Sequence, residues 1–324
     1  MLFTLSRPVY QENPQEILWA HDSIVKPPQG IVASRQRGEN HHLLSWLDRP
    51  SLMAGLRASA KPFATSYGER VRELLELAGS SLEGLSPGAV HDLRVAARRV
   101  QMLCRLLPKD LRTSERCKMF NTALGSLLKA TSGVRDLDTL AQTLERRGTS
   151  LPQGLFSILD EERTTLLRRA MPTIRGVSEA LPVTFKPSQI DSKKLSKRLR
   201  KRVDRRGGVV VGLLGKVLGD ESKIGELHAL RKETKKLRYL LELADKSPRE
   251  LSVLAAWQER LGTIHDFDVA IDYLRRSRLD FPKQKAIAEL MRTRHLRYRG
   301  FAREGKRDTA GVLKASTFLA PRYT

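Results

Sequence analysis

The chain has 324 residues, of which 40% are hydrophobic and 6% aromatic, with 59 Lys and Arg against 36 Asp and Glu. That length makes one large domain or two medium ones, and a net charge of +23 repels itself in any compact state, which calls for a polyanionic partner such as nucleic acid, an anionic membrane surface or inorganic polyphosphate. No run approaches the roughly 18 apolar residues of a membrane span, the start lacks a secretory-signal pattern, and Cys104 and Cys117 sit in helical patterns, as expected of buried free thiols in a reducing cytoplasm.

Residues 1–50 carry five prolines and the polar run SRQRGENHH without sustained periodicity. They read as an extension with one short helix near Glu16 to His21. His41 and His42 are adjacent, so a helix would point them to different sides, and no Cys or carboxylate cluster accompanies them. No metal is expected there, and no motif elsewhere implies a cofactor.

From Leu52 the pattern is helical. Phe63 to Gly79 forms the first helix, and Ser86-Pro87 opens a second that stops near Pro108. Leu111 to Ala130 follows. A turn at Ser132-Gly133 leads into Arg135-Asp136-Leu137-Asp138, which opens a helix to Arg147. Pro152 begins a long helix to Arg175, bent at Pro172, and Leu181 to Pro187 is a connection. The second half repeats this order: a basic helix from Gln189 to Lys216 with a kink or a break at Gly207-Gly208, then Ser222 to Asp245, Glu250 to Leu261, a turn over Gly262 to Asp268, a helix to Ser277, and a last helix opened by Pro282. No strand alternation exceeds the VVV of residues 209–211. The expected class is all-α, with two antiparallel bundles: an extension at 1–50, bundle halves at 51–186 and 187–310, and a tail at 311–324.

Two helices carry the chemistry. On HALRKETKKLRYLLE, residues advance by about 100° each, which puts His228, Arg231, Lys235 and Arg238 in one stripe. Leu230, Leu237, Leu240, Leu241 and Ala244 fall opposite. On HDLRVAARRVQMLCR the stripe is His91, Arg94, Arg98 and Arg105, with Gln101 in the slot of Arg238, and the apolar side is Leu93, Ala96, Ala97, Val100, Leu103, Cys104 and Leu107. Arg99, Lys232, Lys236 and Tyr239 flank the stripes. The histidines lie 137 residues apart, which suggests an internal duplication.

HDLRVAARRVQ and HALRKETKKLRY resemble the two signature helices of the CHAD domain, the conserved histidine α-helical domain, and SGVRDLD and GTIHDFD resemble its turn motif. The resemblance spans residues 57–300 and leaves the first 50 residues outside. It implies two pseudo-symmetric helical bundles around a basic central channel, binding of inorganic polyphosphate and gathering on polyphosphate granules. The E-x-E-x-K signature of the triphosphatase module that some relatives carry is absent. The chain departs from the family pattern at Gln101, where arginine is usual, and at His265, where it is frequent; the first-half stripe is the less cationic, so weaker phosphate contacts are expected there and a channel biased towards the second half.

Arginine offers a planar fork that can hold two phosphate oxygens, and lysine adds a mobile point charge. Steps of three and four residues keep each stripe on one face, and two facing stripes would line one channel. Like charges at this spacing cost about 0.2–0.5 kcal/mol per pair, so a solvated face is the poorer reading of a doubled stripe. Lys194, Lys197, Arg198, Lys201 and Arg205 form a further stripe opposite Leu195, Leu199 and Val203, read as a channel wall. Arg292, His295, Arg299 and Arg303 form another on the last helix, with Arg168 and Arg169 as first-half counterparts. Asp136 with Asp138, and Asp266 with Asp268, are read as helix caps that orient Arg135 and His265. The expected protein binds polyphosphate and is not an enzyme. The rival readings are a nucleic-acid binder, disfavoured by few aromatics for base stacking, and a metal-dependent polyphosphate hydrolase using the Asp pairs.

Overall fold

In a computed structural model the described residues are 57–80, 85–146, 153–243, 248–277 and 283–317; they fold as helices and turns, with no strand among them. The all-α expectation holds. The helix expected near residue 16 and the His41–His42 pair lie outside the described residues. The helices are α1 (Ala60–Ser80), α2 (Pro87–Cys104), α3 (Lys109–Thr113), α4 (Glu115–Ala130), α5 (Ser132–Glu145), α6 (Gln153–Ser178), α7 (Ser192–Val217), α8 (Ile224–Glu242), α9 (Pro248–Arg276) and α10 (Lys283–Thr317).

The apolar faces read from the sequence are buried wherever they fall on described residues; Ala244 lies outside them. Leu93, Ala96, Ala97, Val100 and Leu103 of α2, and Leu230, Leu237, Leu240 and Leu241 of α8, are each at most 1% exposed. They join the main core, in which Trp257 meets Phe301 edge to face at 6.5 Å. A second core is mixed in origin: Leu137, Leu140 and Leu144 of α5 and Leu155 and Leu159 of α6 pack with Phe267, Ile271 and Leu274 of α9 and Leu290 of α10. Residues of both proposed halves thus share one interior. Cys104 and Cys117 are buried free thiols.

Several boundaries differ from the sequence reading, each for a local reason. The expected helix from Leu111 to Ala130 is two, because Ser114 is extended and its hydroxyl accepts from the Cys117 N–H, capping α4 afresh. At Gly207-Gly208, where a kink or a break was expected, the helix does not break: α7 runs through it, with Val203, Gly207, Val210 and Leu214 buried along one side. The turn expected over residues 262–268 is also absent. There α9 is continuous, its register held by the buried Leu261, Ile264 and Phe267. In the first half the chain does break, at Thr131, before α5. Gly133 serves packing there, since a Cβ would come within 2.9 Å of Leu166 Cδ1 on α6.

Candidate functional site

The two histidine stripes meet. Lys235 on α8 feels Arg98 of α2 as well as its own neighbour Arg231, and Lys235 in turn acts on His91. Arg231 feels Arg98, Arg135 and Asp136 from the first half and Asp266 from α9. The strongest charge effects on this cluster thus come from α2, α5, α8 and α9. Arg94, Arg98, Arg135, Arg231 and Lys235 outnumber Asp136 and Asp266.

Every shift in the cluster runs towards neutrality. Burial is the largest cause of the lowered values of Arg98 and Arg231, and it pushes Lys235, helped by the nearby guanidiniums, down from 10.5 to about 7. Burial also raises Asp136 and Asp266 above the usual carboxylate range, against the pull of the arginines. His91 is lowered, His228 falls to about 4 and His265 lies lower still, again through burial first and neighbouring cations second. Positive charge in excess, in a place where water screens it poorly, is what an anion relieves.

His228 and His265 form a pair, with Nδ1 atoms 3.2 Å apart and ring centroids 4.4 Å apart. One Nδ1 must donate and the other accept, so at neutral pH the pair offers one Nε2–H donor and one Nε2 acceptor. Arg135 takes the place of His265 in the first half, so at this register the first half is the more cationic. The expectation of stronger second-half contacts reckoned with a missing arginine at Gln101 but not with a neutral histidine pair.

Arg94 and Arg231 occupy equal places on their helices but have different work. Arg94 is 7% exposed and donates to Leu128 O at 2.6 Å and Thr131 Oγ1 at 2.7 Å, holding the end of α4. The break at Thr131 supplies those acceptors. The unbroken α9 supplies none, and the buried Nε of Arg231 has no partner. The carboxylates also depart from the sequence reading. Asp266 and Asp268 are mid-helix in α9, and the α5 boundary residue is Thr131, so neither pair caps a helix. The second Asp of each pair instead anchors an arginine that the sequence reading missed. Arg163 on α6 donates to Asp138 Oδ1 at 2.5 Å and to Leu85 O, just before α2, at 2.6 Å. Arg294 on α10 donates to Asp268 Oδ1 at 2.7 Å and to Glu221 O, just before α8, at 3.0 Å. One clamp is thus built twice, each time fixing the entry to a histidine helix.

The remaining candidates lie around this cluster. The guanidiniums of Arg99 and Arg238 stand 5.8 and 5.4 Å from the ring centre of the buried Tyr239. Arg238 also pairs with Glu242 at 3.3 Å, and Lys236 with Glu233 at 2.9 Å. Lys232 acts on both His228 and His265. On α7, Lys194, Lys197, Lys201 and Arg205 are exposed, and Arg198 donates to Leu106 O at 2.9 Å near the exposed Arg105. Arg292, Arg299 and Arg303 are exposed on α10, and His295 pairs with Glu221 at 2.9 Å. Arg168 and Arg169 are exposed on α6. Among the described residues no group of three or more metal-ligating side chains forms, and no helix is long and apolar enough to cross a membrane.

A family model for the CHAD domain matches residues 65–275. The chain belongs to the CHAD family. Among solved structures, the CHAD chain is similar to PptA from Streptomyces chartreusis, with 17% identity and a TM-score of 0.50, covering 79% of this chain and 99% of that one. It is also similar to the CHAD domain from the plant Ricinus communis, with 18% identity and a TM-score of 0.49, covering 82% and 94%. No curated protein matches the chain by sequence. At such identities the likeness is one of fold.

Proposed function

We propose that this CHAD protein is a non-catalytic binder of inorganic polyphosphate, which lies in a channel lined by His91, Arg98, Arg135, His228, Arg231, Lys235 and His265 and so draws the protein to cytoplasmic polyphosphate granules. The observation that carries this reading is the convergence of both stripes on Lys235. A chain with a charge on each unit supplies the repeated anions that such a cluster calls for. Tyr239 supports the choice against nucleic acid. Its ring is buried and flanked by two guanidiniums, so it offers no stacking face to a base. The test is competition at near-physiological salt: long polyphosphate displaces DNA from the purified protein, and DNA at equal charge does not displace polyphosphate. The reverse order would overturn the reading.

Lys235 makes binding depend on pH. Without a ligand it titrates at about 7, so at pH 8 it is mostly neutral. A bound polyanion restores its charge, so binding takes up a proton, and affinity falls as pH rises from about 7 to 9. Titration calorimetry at pH 8 in two buffers of different ionisation enthalpy reads the uptake, and Lys235→Met removes most of it; equal uptake in both proteins would refute this role. For the ligand-free fold the sign is opposite. Between about 7 and 10.5 the unfolded chain keeps a proton that the folded one has lost, so this group's contribution to stability grows as pH rises through that window.

A further inference from the structure

A second group of arginines collects where α2 ends. Arg202 of α7 donates to Arg105 O and Arg198 to Leu106 O, both at 2.9 Å. These bonds bring both guanidiniums to the carbonyl end of α2. Arg202 there feels Arg105 and Arg112, and also Arg205 and Arg206; Arg198 feels Arg112 as well, and the carboxylate of Asp191 in the opposite sense. Burial and these like charges lower both arginines. Arg198 keeps a buried Nη2 without a partner. Beside them a pocket is lined by Arg105, Arg112, Gln101, Asn121, Thr122 and Cys104. Its walls carry two guanidiniums, two amides and a hydroxyl, and no carboxylate.

We propose that Arg105, Arg112, Arg198 and Arg202 build a second oxyanion site, which takes a phosphoryl group at the carboxyl end of α2, separately from the cluster around Lys235. The shape of the donor set favours phosphate over carboxylate. One guanidinium fork satisfies the two oxygens of a carboxylate. Arginines approaching from α2, α3 and α7 suit a tetrahedral anion with three or four. Two of them are already oriented by their bonds to carbonyls, so little side-chain freedom is lost on binding. The site also accounts for one member of the α7 stripe: Arg198 turns to α2 beside Arg202, which lies outside the stripe, while Lys197 and Lys201 stay exposed.

The test uses the full chain carrying Arg98→Ala and Lys235→Ala, which cripple the first cluster, so that its outcome is independent of the polyphosphate reading. Tripolyphosphate still binds this protein, one per chain, by calorimetry. Adding Arg112→Ala weakens that binding about tenfold, the worth of one charge-assisted contact, and Arg112→Glu about a hundredfold. Arg112 is chosen because its side chain can be cut back while its backbone bond to Pro108 remains. A thermal melt confirms that each variant is folded. Displacement by orthophosphate would assign the site to the free ion, and failure of displacement to a phosphoryl group within a longer chain. No tripolyphosphate binding in the double variant, or binding indifferent to Arg112, overturns the proposal. Failure of the polyphosphate reading would show instead as wild-type binding unchanged by Arg98→Ala and Lys235→Ala.

Discussion

Arg98→Ala, Arg231→Ala and Lys235→Ala together lower the affinity for long polyphosphate by at least about a thousandfold, while Arg292→Ala, Arg299→Ala and Arg303→Ala together lower it only a few-fold. Each contact to a charged acceptor contributes about 1.5–3 kcal/mol, and every 1.4 kcal/mol is tenfold, so three lost contacts exceed three decades. The control triple removes as much formal charge from an exposed face of α10, where solvent screens it. Salt reads the same difference a second way. By analogy with single-stranded nucleic acid, each lost phosphate contact reduces the log–log salt slope by about 0.7 units, so the first triple flattens it by about 2. Stability should move the other way. The three cations sit among like charges with burial against them, so their removal leaves the melting temperature equal or higher. A binding loss accompanied by a stable fold therefore belongs to the site. Equal losses in both triples would mean that diffuse charge alone attracts the polymer.

How far the sequence carried differs between faces and junctions. The helices bearing His91 and His228 were legible because apolar spacing fixes which side is buried, and the opposite stripe follows from that. The junctions were not, because the same residue signals serve two purposes. Gly262-Thr263 looks like a turn, yet Leu261, Ile264 and Phe267 are buried around it and hold α9 continuous. Ser132-Gly133 looks alike and does follow a break, which Arg94 stabilises from α2. That single difference decides why Arg94, which also acts on Asp136, is held by Leu128 O and Thr131 Oγ1, while the buried Nε of Arg231 is left without a partner. The stripe on α7 was visible as a pattern, but the partner of Arg198 was not: Leu106 O comes from a different part of the chain. Arg163 and Arg294 escaped notice for the same reason. Their one sequence trace is a nearly equal distance from the second Asp of each motif, 25 residues from Asp138 and 26 from Asp268.

Arg163→Ala destabilises the fold by about 3–5 kcal/mol, the cost of leaving a buried charge without its partner. Asp138 has a side chain with no exposed surface, and its Oδ2 already lacks a hydrogen bond. Arg163 supplies the only charge paired to it among the described residues, and also satisfies Leu85 O at the entry to α2. Arg294→Ala costs less, because the second clamp has reserves. Asp268 keeps 12% of its side chain exposed, and Glu221 retains His295 at 2.9 Å when Arg294 is gone. Denaturant midpoints rank the two, and Arg163→Ala combined with Asp138→Leu recovers part of the loss, since removing both partners of a buried pair leaves no orphan charge. The clamps also couple stability to the site. Leu85 and Glu221 each fix the start of a histidine helix, so loosening Arg163 blurs His91 and loosening Arg294 blurs His228. Polyphosphate affinity should then fall in both variants even under conditions where each remains folded. An Arg294→Ala protein that is less stable than Arg163→Ala would show that the contact between Glu221 and His295 gives no support.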